Sequence, residues 1–96
     1  MPGWKLPVMY DDLKPRQRKA VREQYVVEQN GRCMFCNNKL TEKPPEGIEK
    51  APIIWDLFPP GFLKNPVHLQ HNHESGLTEG AVHARCNAYL WQYEGR

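Results

Sequence analysis

Apolar and polar residues alternate most clearly at Val67-His68-Leu69-Gln70-His71, which predicts a strand with one buried face. Glu74-Ser75-Gly76 reads as a turn, and Leu77 to Ala81 as the returning strand of a hairpin. A final helix is predicted from about 81–84 to 92, carrying His83, Cys86 and Asn87 towards one side. Its Leu90, Trp91 and Tyr93 are expected to pack on the hairpin or on an N-terminal helix. That first helix should begin between residues 11 and 15, where Asp11 and Asp12 supply carboxylates and Pro15 is tolerated in a first turn. It should end near Gln29, because Asn30-Gly31 accept a left-handed backbone. Ala20, Val21 and Tyr25 can share its apolar side with Leu13. Residues 1–10 hold the apolar residues Trp4, Leu6, Pro7, Val8 and Tyr10 without periodicity, and Pro2 and Pro7 argue against a helix, so this reads as an arm packed back on the domain.

Residues 37–67 contain Pro44, Pro45, Pro52, Pro59, Pro60 and Pro66, which excludes a long helix or a central strand. The apolar side chains there, among them Ile48, Ile53, Ile54, Trp55, Phe58 and Phe62, are too numerous for a disordered linker. The reading is an ordered, irregular insertion with short fragments around 52–58. Glu94-Gly95-Arg96 reads as a frayed tail.

Ninety-six residues at 40% hydrophobic content make a single domain, 1–96, whose core is too small to be self-sufficient. Nine prolines and seven glycines shift the balance towards turns. Three cysteines cannot all pair internally and no signal-peptide-like apolar stretch opens the chain, so metal binding in a reducing cytosol fits better than a disulfide scaffold. No apolar run reaches the roughly 20 residues that span a bilayer, so no membrane partner is expected. The formal charge of +2 is small, but Lys14, Arg16, Arg18, Lys19 and Arg22 cluster without an intervening acid. They form either a solvated helix face or a phosphate-contacting one.

The cysteines and histidines change the picture most. Cys33-Met34-Phe35-Cys36 is answered far downstream by His83-Ala84-Arg85-Cys86, the spacing of a closed four-ligand zinc site. All four histidines lie between residues 68 and 83, so three remain for another task.

Three stretches carry a resemblance: Gln29-Asn-Gly-Arg-Cys-Met-Phe-Cys36, His68-Leu-Gln-His-Asn-His-Glu74 and His83-Ala-Arg-Cys-Asn87. Together they resemble the HNH (ββα-metal) nucleases, most closely the recombination endonuclease VII group and its small phage relatives. The match covers roughly residues 20–90. The family's central run usually reads His-Leu-Asp-His-Asp-His and its last motif Cys-x-x-Cys-Asn. Here Gln70 stands in the aspartate place and His83 in the first cysteine place.

The resemblance implies an α+β, zinc-stapled ββα-metal fold, with an arm (1–10), a helix (11–29), a zinc knuckle (33–36), a long irregular Pro-rich insertion (37–67) and the ββα motif (68–92). It implies a metal-dependent DNA endonuclease that nicks or cuts both strands. His71 matches the general base, and Gln70 and Asn87 match the two ligands of one catalytic divalent cation. His73 matches a histidine near phosphate or metal, with His68 a weaker candidate for the same neighbourhood. An amide in place of a carboxylate weakens the hold on Mg²⁺ and favours Mn²⁺, Co²⁺ or Ni²⁺, unless Glu74 or a substrate phosphate supplies the charge. Adjacent strand residues point to opposite faces, so Gln70 and His71 can share a site only if the strand bends there. The resemblance also implies a phage or mobile-element setting in the cytoplasm, that of the host cell if phage-encoded. DNA is the expected partner, and residues 38–67 are where further DNA contacts or a homodimer surface would lie. The alternative is a non-catalytic zinc module for DNA or protein binding, or an accessory to phage packaging proteins.

Overall fold

Alternation and turn chemistry placed the hairpin well: β1 (Val67–His71) and β2 (Thr78–His83) pair antiparallel in a two-stranded sheet. The computed structural model describes residues 3–94. Met1, Pro2, Gly95 and Arg96, the extreme ends of the predicted arm and tail, lie outside the described residues. The chain is a small α+β protein with three α-helices among the described residues: α1 (Pro15–Glu28), the single-turn α2 (Glu46–Glu49) and α3 (Ala84–Tyr93). No helix among them is long and apolar enough to cross a membrane.

Helix α1 opens with Pro15 at its first position, while the Gln17 side chain accepts the Lys14 backbone N–H at 2.8 Å. Asp11 and Asp12 belong to a separate 3₁₀ turn, Tyr10–Asp12. Asn30 and Gly31, both at positive φ, end the helix as their residue types predict. Val21 and Tyr25 are buried against Leu13, Leu40, Ala81 and Val82. Ala20, expected on the same side, is exposed. The hydrophobic stripe is therefore narrow, and the Tyr25 hydroxyl closes it by a 2.9 Å hydrogen bond with the Thr78 hydroxyl.

Strand β2 is almost wholly buried, and its outer edge is covered from two directions. The Gln29 amide acts as a substitute strand: its Oε1 accepts the Ala81 N–H at 2.8 Å and its Nε2 donates to the Ala81 carbonyl at 2.9 Å. At the other end the N-terminal arm lies alongside. Thr78 N–H donates to the Val8 carbonyl and Tyr10 N–H to the Gly76 carbonyl, both at 2.8 Å. Edge groups that would otherwise invite other chains are thereby satisfied. The arm does have a period, contrary to expectation. Trp4, Leu6, Val8 and Tyr10 are half-buried while Gly3, Lys5, Pro7 and Met9 are exposed. Counting Pro7 as apolar hid this alternation of an extended segment.

A Cβ on Gly80 would come within 2.8 Å of Gln29 Oε1 and 2.9 Å of Met34 Cγ. Gly80→Ala therefore pushes the Gln29 clamp off the strand. Overpacking of this kind costs about 1–3 kcal/mol. The urea midpoint of the metal-loaded protein should fall accordingly, and an unchanged midpoint would show that the clamp adds nothing to stability.

The last strand runs two residues further than expected. His83 pairs with Val67 and has extended backbone angles, so it caps α3 from outside rather than lying within it. Tyr93 departs from expectation by packing on the insertion, and Trp91 packs both on the insertion and on His73 of the hairpin. The Tyr93 hydroxyl and Gln92 Nε2 both donate to the Pro52 carbonyl, and Trp91 meets Phe58 edge-on. The insertion is ordered, with α2 and a 3₁₀ turn at Trp55–Leu57 inside it.

Candidate metal centre and histidine cleft

Cys33, Cys36, His83 and Cys86 converge so that their ligand atoms all lie within 4.8 Å of one another, and together they could hold a structural metal such as zinc. Each sits where local backbone aims it inward. Cys33 and Cys36 flank a turn closed by Asn37 N–H to the Cys33 carbonyl at 3.0 Å, with Asn37 itself at positive φ. His83 ends β2, and Cys86 lies in the first turn of α3.

The imidazole orientation is decided by carbonyls. His83 Nε2 lies 2.9 Å from the Lys39 carbonyl and 2.7 Å from that of Glu42, which fixes the proton on Nε2. The lone pair on Nδ1 then faces the sulfurs, 3.4 Å from Cys36 Sγ and 3.6 Å from Cys86 Sγ. A tetrahedral zinc with its usual metal–sulfur and metal–nitrogen bond lengths needs a ligand–ligand edge of about 3.5 Å. The two Nδ1–Sγ distances stand at that spacing. The Cys33 thiol is pushed down to about 4 by a hydrogen bond from Cys86, helped by backbone N–H groups of Cys36, His83 and Phe35 and opposed by burial. Cys86, the donor of that bond and itself buried, is pushed up, and burial raises Cys36. The pocket thus favours a thiolate at Cys33, and a dication there would favour all three.

The other histidines line a separate cleft of about 540 Å³ with Gln70, Asn87, Tyr10, Arg18, Arg22, Phe62 and Trp91. Gln70 and His71 both line it, as do the other three residues of β1, and beside them β1 and β2 slip register. Gln70 faces Gly80 and His71 faces Thr78, leaving Glu79 as the extra residue. The extra residue is on β2, the strand that such a bulge bends. Gln70 is 2% exposed, and its Nε2 donates to the His71 carbonyl at 3.1 Å. Glu79 Oε1 is 3.5 Å from the same nitrogen. Glu74 is exposed in the hairpin turn, with its N–H on Asn72 Oδ1, and it does not line the cleft.

Asn87 Nδ2 donates to His68 Nδ1 at 3.0 Å, whereas Asn87 Oδ1 is buried without a hydrogen-bond partner among the described residues. Burial holds the His68 pKa below its ordinary value, assisted by Arg22 and opposed by the Phe62 and Asn65 backbone. His71 is lowered as well, chiefly by burial and then by His73 and Arg18, against Asp11 and Glu79. Its ring stacks on Tyr10 at 3.9 Å and on His73 at 4.6 Å, and His73 meets Trp91 edge-on at 4.5 Å.

The basic run divides. Arg18 and Arg22, four residues apart, face the cleft, with the Arg18 guanidinium 4.2 Å from the Tyr10 ring centre. Lys14, Arg16 and Lys19 are exposed and do not line it. Tyr10, Phe62 and Trp91 were absent from the sequence-based site, since their approach depends on how the arm, insertion and last helix dock. Only the arm's hidden alternation could have pointed to Tyr10. Compared with family models, curated proteins and solved structures, the chain gives no match.

Proposed function

We propose that the protein is a metal-dependent DNA endonuclease of the HNH, or ββα-metal, type, with the histidine cleft as its active site. The observation that carries this reading is the convergence of His68, Gln70, His71, His73 and Asn87 with Arg18 and Arg22 in one cleft. The order of hairpin then helix and the Cys₃His staple support it too.

In this reading His71 takes a proton from the attacking water. A lowered pKa keeps its imidazole neutral and ready to accept at pH 7. Tyr10 and His73 on either side restrain the ring. Arg18 and Arg22 hold the phosphate, and His73, exposed at the rim, serves the phosphate or the leaving oxygen. Asn87 Oδ1, buried and unpartnered among the described residues, and the Gln70 amide oxygen would hold the catalytic cation. A divalent cation there would neutralise charge developing on the phosphate. Incubating supercoiled plasmid with purified protein and Mg²⁺, Mn²⁺, Co²⁺ or Ni²⁺ tests the reading, with nicking expected and loss of nicking on chelation of the added metal.

One observation favours a second reading, a zinc-stabilised DNA-binding or accessory module without catalysis. Every cleft side chain offered to a cation is neutral, a poor set for a hard dication. Both readings place phosphate on Arg18 and Arg22. Replacing both with alanine should flatten the log–log salt dependence of DNA binding by about 0.9 for each duplex phosphate that is no longer neutralised. The same change at Arg16 and Lys19 should do less, and equal effects would remove the cleft from DNA binding.

A further inference from the structure

The cleft has a second chemical character. Phe62 from the insertion and Trp91 from α3 form its wall, next to the stacked pair Tyr10 and His71. Trp91 leaves 45% of its surface open although it meets Phe58 and His73, and Phe62 packs edge-on against His68. Large aromatic surface beside guanidinium groups is not what rigid duplex DNA uses, because its bases are stacked within the helix and present phosphates outward. It suits a strand whose bases are free to stack elsewhere. A cleft of about 540 Å³ is of the size that encloses a small organic ring system.

We infer that the cleft captures an unpaired nucleobase, stacking it on Trp91 beside Phe62 while Arg18 and Arg22 take the adjoining phosphates, so that the preferred ligand is single-stranded or locally unpaired DNA. This rests on the DNA reading above and adds its substrate class. A wall built from residues far apart in the chain, Phe62 and Trp91, is held against the cleft by specific bonds. Gln92 Oε1 accepts the Ile54 N–H at 2.8 Å, and Gln92 Nε2 reaches the Pro52 carbonyl at 2.9 Å. Charge complementarity selects the occupant: an apolar peptide would leave Arg18 and Arg22 unmatched, whereas a nucleotide satisfies ring and cation together.

The test compares binding of the metal-loaded protein to a short single strand, the blunt duplex of the same sequence, and a duplex with one unpaired base replaced by fluorescent 2-aminopurine. The single strand and the unpaired duplex should bind more tightly than the blunt duplex, and 2-aminopurine should be quenched. Trp91→Ala should weaken those two by about tenfold, leave blunt-duplex binding near its original value, and be partly rescued in Trp91→Phe. Zinc content and thermal midpoint report whether the variants fold; Phe62→Leu provides an independent route if Trp91→Ala does not. Equal affinity for all three DNAs, with no effect of Trp91→Ala or Phe62→Leu, would overturn base capture while leaving DNA binding intact. Failure to bind any DNA would overturn both readings, and the aromatic wall would then belong to a protein contact.

Discussion

Removing the metal from Cys33, Cys36, His83 and Cys86 is expected to unfold the protein. The hydrophobic core cluster is built from Leu13, Val21, Tyr25, Leu40, Ala81 and Val82 together with Cys33 and Cys86, so two of the ligands are themselves core residues. The site joins the knuckle after α1 to the junction of β2 and α3, and no disulfide links the cysteines. Structural zinc contributes roughly 10–16 kcal/mol in small domains. A domain of this size is stable by only about 5–15 kcal/mol in total. Loss of the ion therefore removes an amount comparable to the whole stability of such a domain. One zinc per chain is expected. Chelation, or Cys36→Ala, should abolish the cooperative thermal transition seen by circular dichroism. A metal-free protein that still melts cooperatively would remove the structural role from this site.

His71→Ala is expected to lower DNA cleavage on the order of 10²–10⁴-fold, the typical contribution of a positioned general base. Zinc content and salt-dependent DNA binding should be unchanged, because the imidazole lies in the cleft rather than at the Cys₃His centre and carries little charge at pH 7. Gln70→Asp sharpens the test. Position 70 is buried next to His71, and a carboxylate there would supply the negative charge that the side chains lining the cleft lack. Mg²⁺-supported activity should rise. If wild type nicks plasmid with none of the four metals while Gln70→Asp does, the natural protein is a binding module on a nuclease frame. If neither cuts and DNA still binds, the cleft has no hydrolytic role.

How far the site was legible depends on the range of the signal. Cys-x-x-Cys and His-x-x-Cys are local patterns of metal-donor side chains, which is why the four residues that the structure brings together were identifiable from sequence. The placement of His83 inside a helix was wrong. Spacing alone cannot tell a residue inside a helix from one just before it, and only pairing with Val67 keeps His83 extended. The basic run was legible as a run, but which of its members meet the cleft was not.

Sequence by itself determined the hairpin, the breaks at Asn30-Gly31, the proline-limited insertion and the metal-ligand set, since each follows from side-chain period, backbone preference or donor type over a few residues. Tertiary structure decided the rest. The Lys39 and Glu42 carbonyls chose the His83 nitrogen that faces the sulfurs, and docking of the arm and insertion added Tyr10, Phe62 and Trp91 to the cleft. These depend on contacts between residues tens of positions apart, and such contacts are set by how whole elements pack rather than by any local pattern.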